Sequence, residues 1–128
     1  MKVYIAGPMR GYPHLNFPAF DKAKELWQNL GHNVVTPADL DRAMGMDPFR
    51  DNPEQFNDPI FLRRAISLDI EIIKTVDAIA LLNGWQHSAG VAVELVLAQF
   101  LSLEIYDAHT KARLFPKLYY TTTPSWND

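Results

Sequence analysis

The sequence predicts an α/β domain built on a single doubly wound parallel sheet, with helices on both faces and the flavodoxin-like strand order 2-1-3-4-5. Three observations carry this. Short apolar runs alternate with stretches of helical periodicity, in the order strand, helix, strand, loop, helix, strand, helix, strand. The first strand, helix and strand have the spacing of a βαβ unit, which makes the strands parallel and gathers the loops that follow them along one edge. With 128 residues, 48% hydrophobic and 21% charged, the chain suits one domain with one core, and it carries no internal repeat or low-complexity tract.

Lys2 to Ala6 is the first strand, stopped by Gly7-Pro8. After Met9 to Leu15, Asn16 is placed to cap a helix with Pro18 in its first turn. Phe20, Ala23, Trp27 and Leu30 recur at helical spacing until Gly31 ends that helix. Asn33 to Thr36 gives the second strand, stopped by Pro37. Residues 37–58, rich in Pro, Asp and Asn, read as a lid or binding loop with one short helical stretch around Asp39 to Met44. Asp58 as cap and Pro59 as first helical residue open a long helix to about Val76, with an apolar stripe of Leu62, Ala65, Ile66, Ile72, Ile73 and Val76. Asp77 is expected to serve as a turn or cap before the strand Ala78 to Leu82. A polar turn (Asn83 to Ser88), a helix (Ala89 to about Ser102) and a strand (Leu103 to Tyr106) follow. Residues 107–128 are expected as a C-terminal extension with a last strand near Lys117 to Thr121. The aromatics Tyr119, Tyr120 and Trp126 then either pack on their own domain or line a partner's pocket.

The formal charge of −3 gives no footprint for a nucleic-acid polymer or an anionic membrane, although it leaves room for a local site that takes one small anion. The absence of cysteine excludes disulfides and thiolate chemistry. The first residues enter a strand at once without the pattern of a signal peptide, and no stretch is long enough to span a bilayer, so a cytoplasmic location is expected. The four histidines are scattered without ligand spacing, and neither a metal site nor a cofactor is expected.

Ligands of doubly wound sheets sit beyond the carboxyl ends of the strands, at the switch point between the first and third. Gly7 to Tyr12 and Asn83 to Ser88 meet there. Behind them lies the helix of Glu94, the single ionisable residue between Ser88 and Glu104. An unpaired buried carboxylate costs several kcal/mol unless it is paired or used. Gly90, one turn earlier on the same face, leaves room beside it for a substrate; the other reading is that Glu94 bonds a backbone amide or an Arg and holds the core. Asp69 falls in the middle of the apolar stripe of its own helix. It either ties that helix to a strand-end loop or works with Glu94, since two acids of unequal pKa are what cleavage of a glycosidic bond requires. Arg10 either binds an anion or pairs with the acidic loop Asp47 to Glu54. Trp85 and Tyr12 are stacking partners for a base or packing residues, and His87 is a proton donor or an idle loop residue.

The segments Tyr4-Ile5-Ala6-Gly7-Pro8-Met9-Arg10-Gly11, Asn16-Phe17, Gly31, Pro37, Asp69, Asp77 and Ser88-x-Gly90-x-x-x-Glu94 together resemble the nucleoside 2-deoxyribosyltransferase-like proteins, from Met1 to about Tyr106. The resemblance is strongest to a small DUF4406-like branch, often phage or bacterial, that begins Y-I-A-G-P-M-[RT]-G and is related to nucleotide N-glycosidases. It implies that Glu94 attacks the anomeric carbon of a nucleoside to give a glycosyl-enzyme, which passes to another base or to water. It further implies that Asp69 shapes the site and that Tyr4, Gly7 to Tyr12, Asn83 to Trp85, His87, Ser88 and Gly90 bind substrate. Arg10 and the amides of Arg10 and Gly11 would contact a 5′-phosphate. Ser88 stands where the transferases usually carry Asp; the nucleotide hydrolases can carry Ser there, and a hydroxyl suits a phosphate, which favours 5′-monophosphates. A homodimer or larger assembly is also implied, and Val93, Val96 and Phe100, read as turned away from the Glu94 face, supply apolar surface for it. The competing class is a binding module that keeps the fold, sequesters a nucleotide or contacts a host factor, and turns nothing over.

Overall fold

The computed structural model describes residues 1–117. β1 (Lys2–Ala6) is the axis of the architecture: it pairs in parallel with β2 (Asn33–Val35) on one side and β3 (Ala78–Leu81) on the other, and β3 pairs in parallel with β4 (Glu104–Asp107). The order is β2-β1-β3-β4. Among the described residues the sheet therefore has four strands where five were expected. Residues 118–128, which hold Tyr119, Tyr120, Trp126 and all but the first residue of the expected last strand, lie outside the described residues. A single antiparallel bridge, Tyr106 to Arg113, follows β4.

Alternation along the buried strands divides the core in two. Val3 and Ile5 of β1, with Ala80 and Leu82, face Phe17, Phe20, Ala23 and Trp27 of α1 (Phe17–Asn29). Tyr4 and Ala6, with Ile79, Leu81 and Ile105, face Ile73 of α3 (Pro59–Ile73) and Val91, Leu95 and Ala98 of α4 (Ala89–Phe100). Each fully buried large side chain of this kind contributes about 1.5–3 kcal/mol. The Trp27 indole N–H donates to the Ala108 carbonyl at 2.9 Å and so fastens α1 to the chain leaving β4.

Several local expectations change. β2 ends at Val35 because Thr36 turns into a helix cap: its hydroxyl accepts from the Asp39 N–H at 3.0 Å, and the Asp39 carboxylate accepts from the Thr36 N–H at 3.1 Å. α2 accordingly begins at Pro37 and runs Pro37–Ala43. In residues 44–58, the rest of the segment expected as a lid or loop, Phe56 is buried, edge-on to Phe17 and Phe61. Asn16 does not cap α1. It is left-handed (φ 61°), as are His14 and Leu15 (φ 51° each), and its amide donates instead to the Pro8 carbonyl at 2.9 Å. The Asp58 cap is present, accepting from the Phe61 N–H at 3.1 Å, but α3 stops at Ile73. Asp77 sits in the bend before β3, as expected, and caps no helix; its carboxylate accepts from the Lys2 N–H and its own N–H donates to the Lys2 carbonyl, both at 2.8 Å, extending the β1 to β3 pairing. Among the described residues no helix is long and apolar enough to cross a membrane.

Candidate active site

The loops that leave β1 and β3, together with α2, α3 and the start of α4, enclose a cleft of about 640 Å³ at the carboxyl edge of the sheet. That is within the range of small-molecule sites. Two glycines let the loops meet. A Cβ on Gly7 would lie 2.7 Å from Leu82, so the β1 turn can pass over the end of β3 only without a side chain. Gly84 is left-handed (φ 88°), and a Cβ there would lie 2.6 Å from the Tyr12 hydroxyl.

Glu94 projects from α4 into this cleft while remaining only 4% exposed. The Tyr4 hydroxyl, fully buried behind it, donates a hydrogen bond to Glu94 Oε2. Asp69 of α3 lines the same cleft, and its Oδ1 is buried without a hydrogen-bond partner among the described residues. A third acid joins them. Asp41 of α2 is 4% exposed and lines the cleft as well. Among the described residues no Lys or Arg forms an ion pair with any of the three.

Burial without a cation favours the protonated forms. Desolvation, then the neighbouring Asp69 carboxylate, pushes Glu94 from 4.5 up to about 8, against the pull of the Tyr4 hydrogen bond. Burial raises Asp69 from 3.8 to about 7, and the nearby Tyr4 hydroxyl opposes it. Burial, then Asp69, raises Asp41 to about 7, with Arg42 acting the other way. Asp41 and Glu94 each feel the charge of Asp69, so the three titrations are coupled. No cluster of three or more His, Cys, Asp or Glu among the described residues is arranged to hold a metal ion.

Most residues expected at the site do line the cleft. Gly7, Pro8, Met9, Arg10 and Tyr12 come from the β1 turn, and Gly84, His87, Ser88 and Gly90 from the β3 side. A Cβ on Gly90 would meet only the Ser88 hydroxyl, at 3.8 Å, so space stands open beside Glu94. The Ser88 hydroxyl accepts from the Val91 N–H at 3.2 Å, capping α4, and donates no hydrogen bond among the described residues. Arg10 is exposed and makes no ion pair with the Asp47 to Glu54 loop, whose Asp51 is held by Arg50 at 2.9 Å. Gly11 (φ 81°) and Asn83 are exposed and are not on the cleft wall. Trp85 packs against the core beside α4 and is not on the cleft wall, while Tyr12 stays at the rim. Val93, read as turned away from Glu94, lines the cleft with it. Asp41 and the apolar wall of Leu15, Phe56 and Phe61 were not anticipated. The signal for Asp41 lay in Thr36-Pro37-x-Asp39, which starts a helix at Pro37 and turns Ala38 and Asp41 inward together.

The model of the family described as "Domain of unknown function (DUF4406)" matches residues 1–107. The chain belongs to this family. Its DUF4406 domain holds β1 to β4 and all three cleft acids. Among solved structures it is similar to the 2-deoxyribosyltransferase from the psychrotolerant bacterium Bacillus psychrosaccharolyticus. The TM-score is 0.60 at 20% identity, over 83% of this chain and 70% of that one. The DUF4406 domain thus has a nucleoside 2-deoxyribosyltransferase-like fold. No match was found among curated proteins.

Proposed function

We propose that this protein breaks or transfers the N-glycosidic bond of a (deoxy)nucleoside or its 5′-monophosphate, with Glu94 as nucleophile. The observation that carries the reading is the placement of Glu94: a buried acid on the wall of a nucleoside-sized cleft, held by a Tyr hydroxyl and unmatched by any cation among the described residues. A carboxylate kept only for structure would have its charge satisfied. The 2-deoxyribosyltransferase that shares the fold supports the same chemistry.

The steps follow from the residues. A Glu94 carboxylate oxygen bonds to C1′ as the bond from C1′ to the base nitrogen breaks, and that electron pair leaves with the base. In the reactive form Glu94 is ionised and the proton of this coupled pair rests on Asp69, which gives it to the departing base. Water or a second base nitrogen then attacks C1′ and releases Glu94. Tyr4 favours the ionised nucleophile by donating to Oε2. Arg10 and the Ser88 hydroxyl, both on the cleft wall, take the 5′-phosphate of a monophosphate. We further propose a homodimer or larger assembly through α3 and α4, where Ile60 is 68% and Phe100 72% exposed; a monomeric mass in solution would contradict this.

Incubation with a panel of nucleosides and monophosphates, followed by chromatography for free base, tests the proposal. Glu94→Gln and Glu94→Ala should lower base release roughly a thousandfold or more while keeping the native circular dichroism spectrum. Full activity in either variant removes Glu94 as nucleophile.

A further inference from the structure

Three acids line one cleft, and among the described residues no positive charge balances them. Asp41 is 4% exposed and opens on the cleft, and neither a hydrogen bond nor an ion pair to its carboxyl group is present among the described residues. Asp69 Oδ1 is buried there without a partner, and the side-chain bond to Glu94 comes from the neutral Tyr4 hydroxyl. The cations nearby are placed otherwise. Arg42, next to Asp41, holds both carboxylate oxygens of Asp21, at 2.9 and 2.6 Å. Arg10 from the β1 turn, Arg63 from α3 and His87 from the β3 turn line the cleft but are exposed, and none forms an ion pair among the described residues. Asp41 cannot easily move to meet one: α2 is fixed at its start by the Thr36 and Asp39 capping box, and at its end by the Asp41 carbonyl, which accepts from the Met44 and Met46 N–H groups at 3.0 Å each.

Carboxyl groups left in a buried wall without a countercharge are stabilised when a ligand brings one. A base bonded to C1′ cannot avoid them. Whatever way the base turns, the ring nitrogen attached to C1′ stands next to the acid that attacks C1′. Asp69 is close enough to Glu94, and to Asp41, for their charges to act on one another, so a charge placed beside Glu94 is felt by all three. The exposed Arg10 remains for a phosphate on the same ligand.

We infer that the cleft takes nucleotides whose base carries a fixed positive charge, of the pyridinium type, with the Asp41 and Asp69 carboxylates as its counterions. This rests on the proposed nucleoside chemistry and adds the class of base. Such a base needs no proton in order to leave. A Glu94 oxygen bonds to C1′, the bond from C1′ to the ring nitrogen breaks, and its electron pair discharges that nitrogen. Carboxylate and cation are consumed together and a neutral base departs, whereas an uncharged base takes the proton of Asp69. Binding is also linked to pH. The cation favours ionised Asp41 and Asp69, so protons leave as it binds, and its affinity rises with pH through the range in which burial keeps these acids protonated, up to about 7.

The test compares two ligands that differ at one ring atom. The full chain carrying Glu94→Gln is titrated by calorimetry with nicotinamide mononucleotide, whose ring nitrogen is cationic, and with benzamide riboside 5′-monophosphate, which has a neutral carbon there. At pH 8 the cation should bind about tenfold or more tightly, and the ratio should widen severalfold between pH 6 and pH 8. Asp41→Asn, which cannot ionise, should narrow the ratio at pH 8 by about threefold or more and leave the neutral analogue within about twofold. If that variant does not fold, Asp69→Asn carries the test. Equal binding, a ratio flat in pH or a ratio untouched by the substitution overturns the inference. Base release by the unaltered chain from nicotinamide mononucleotide and from adenosine and cytidine 5′-monophosphates separates the inference from the reading beneath it. Release of the neutral bases without preferential binding of the cation overturns the inference and leaves Glu94 standing. Preferential binding of the cation with no base released from any of the three overturns the glycosidic reading alone, and neither binding nor release overturns both.

Discussion

Tyr4 and Glu94 are separated by 90 residues of sequence, yet the phenol of the first donates its proton to a carboxylate oxygen of the second inside the core. β1 and α4 are thereby joined behind the cleft wall that Glu94 lines. Because the bond favours the ionised form of Glu94, it works against the burial that keeps this acid protonated to about pH 8.

Tyr4→Phe keeps the ring and removes the hydroxyl. A buried acceptor left unsatisfied costs about 1–3 kcal/mol, so kcat/KM for base release at pH 7 should fall roughly tenfold to a hundredfold. The limb of the pH profile that belongs to Glu94 should also move above pH 8, and part of the activity should return at high pH. A uniform loss at every pH would mean that Tyr4 only packs.

The protein should become less stable as pH rises from about 5 to about 8. Asp41, Asp69 and Glu94 all hold their protons more tightly folded than unfolded: their ordinary values are 3.8, 3.8 and 4.5, and in the fold they reach about 7, 7 and 8. The stability they confer is complete below the unfolded values and disappears as pH passes the folded ones. Melting by calorimetry across this window should show a falling temperature. Asp69→Asn, which cannot ionise, should flatten the decline and melt a few degrees higher than the unaltered chain at pH 8. A melting temperature that rises toward pH 8 would contradict the buried acids.

Arg10→Ala should weaken binding of a nucleoside monophosphate about tenfold or more and of the matching nucleoside by less than threefold, as expected for a lost charge-assisted bond to phosphate. Calorimetric titration of both ligands measures the difference. Equal losses would remove the phosphate from the site.

Gly7→Ala places a methyl group 2.7 Å from Leu82 and should cost about 2 kcal/mol or more by denaturant unfolding. Gly11→Ala is a useful comparison. There a Cβ meets nothing within 4 Å, and only the left-handed backbone (φ 81°) opposes it.

The sheet and its long helices were legible because their periods are plain: Val3 to Ala6 and Ala78 to Leu82 are buried on both faces, and Phe20, Ala23 and Trp27 mark one face of α1. Glu94 and Asp69 stood out as lone acids in apolar stripes. Asp41 did not, because its helix has only seven residues in a stretch rich in Pro, Asp and Asn, where the capping box was the signal and composition suggested a loop. The bond from Tyr4 to Glu94 depends on how far α4 slides along the sheet, which no local pattern encodes. Asn16 was misread for a related reason. A run of three left-handed residues without glycine is imposed by tertiary context, here including the contact of the Asn16 amide with the Pro8 carbonyl.

The three cleft acids and the phenol bonded to one of them come from four elements: Tyr4 from β1, Asp41 from α2, Asp69 from α3 and Glu94 from α4. Any fragment that contains them all spans at least residues 4–94, and none of these elements can leave without taking a member of the set. Loss of activity with heat or denaturant should consequently follow the same sigmoid as loss of secondary structure, with no active, half-melted form in between.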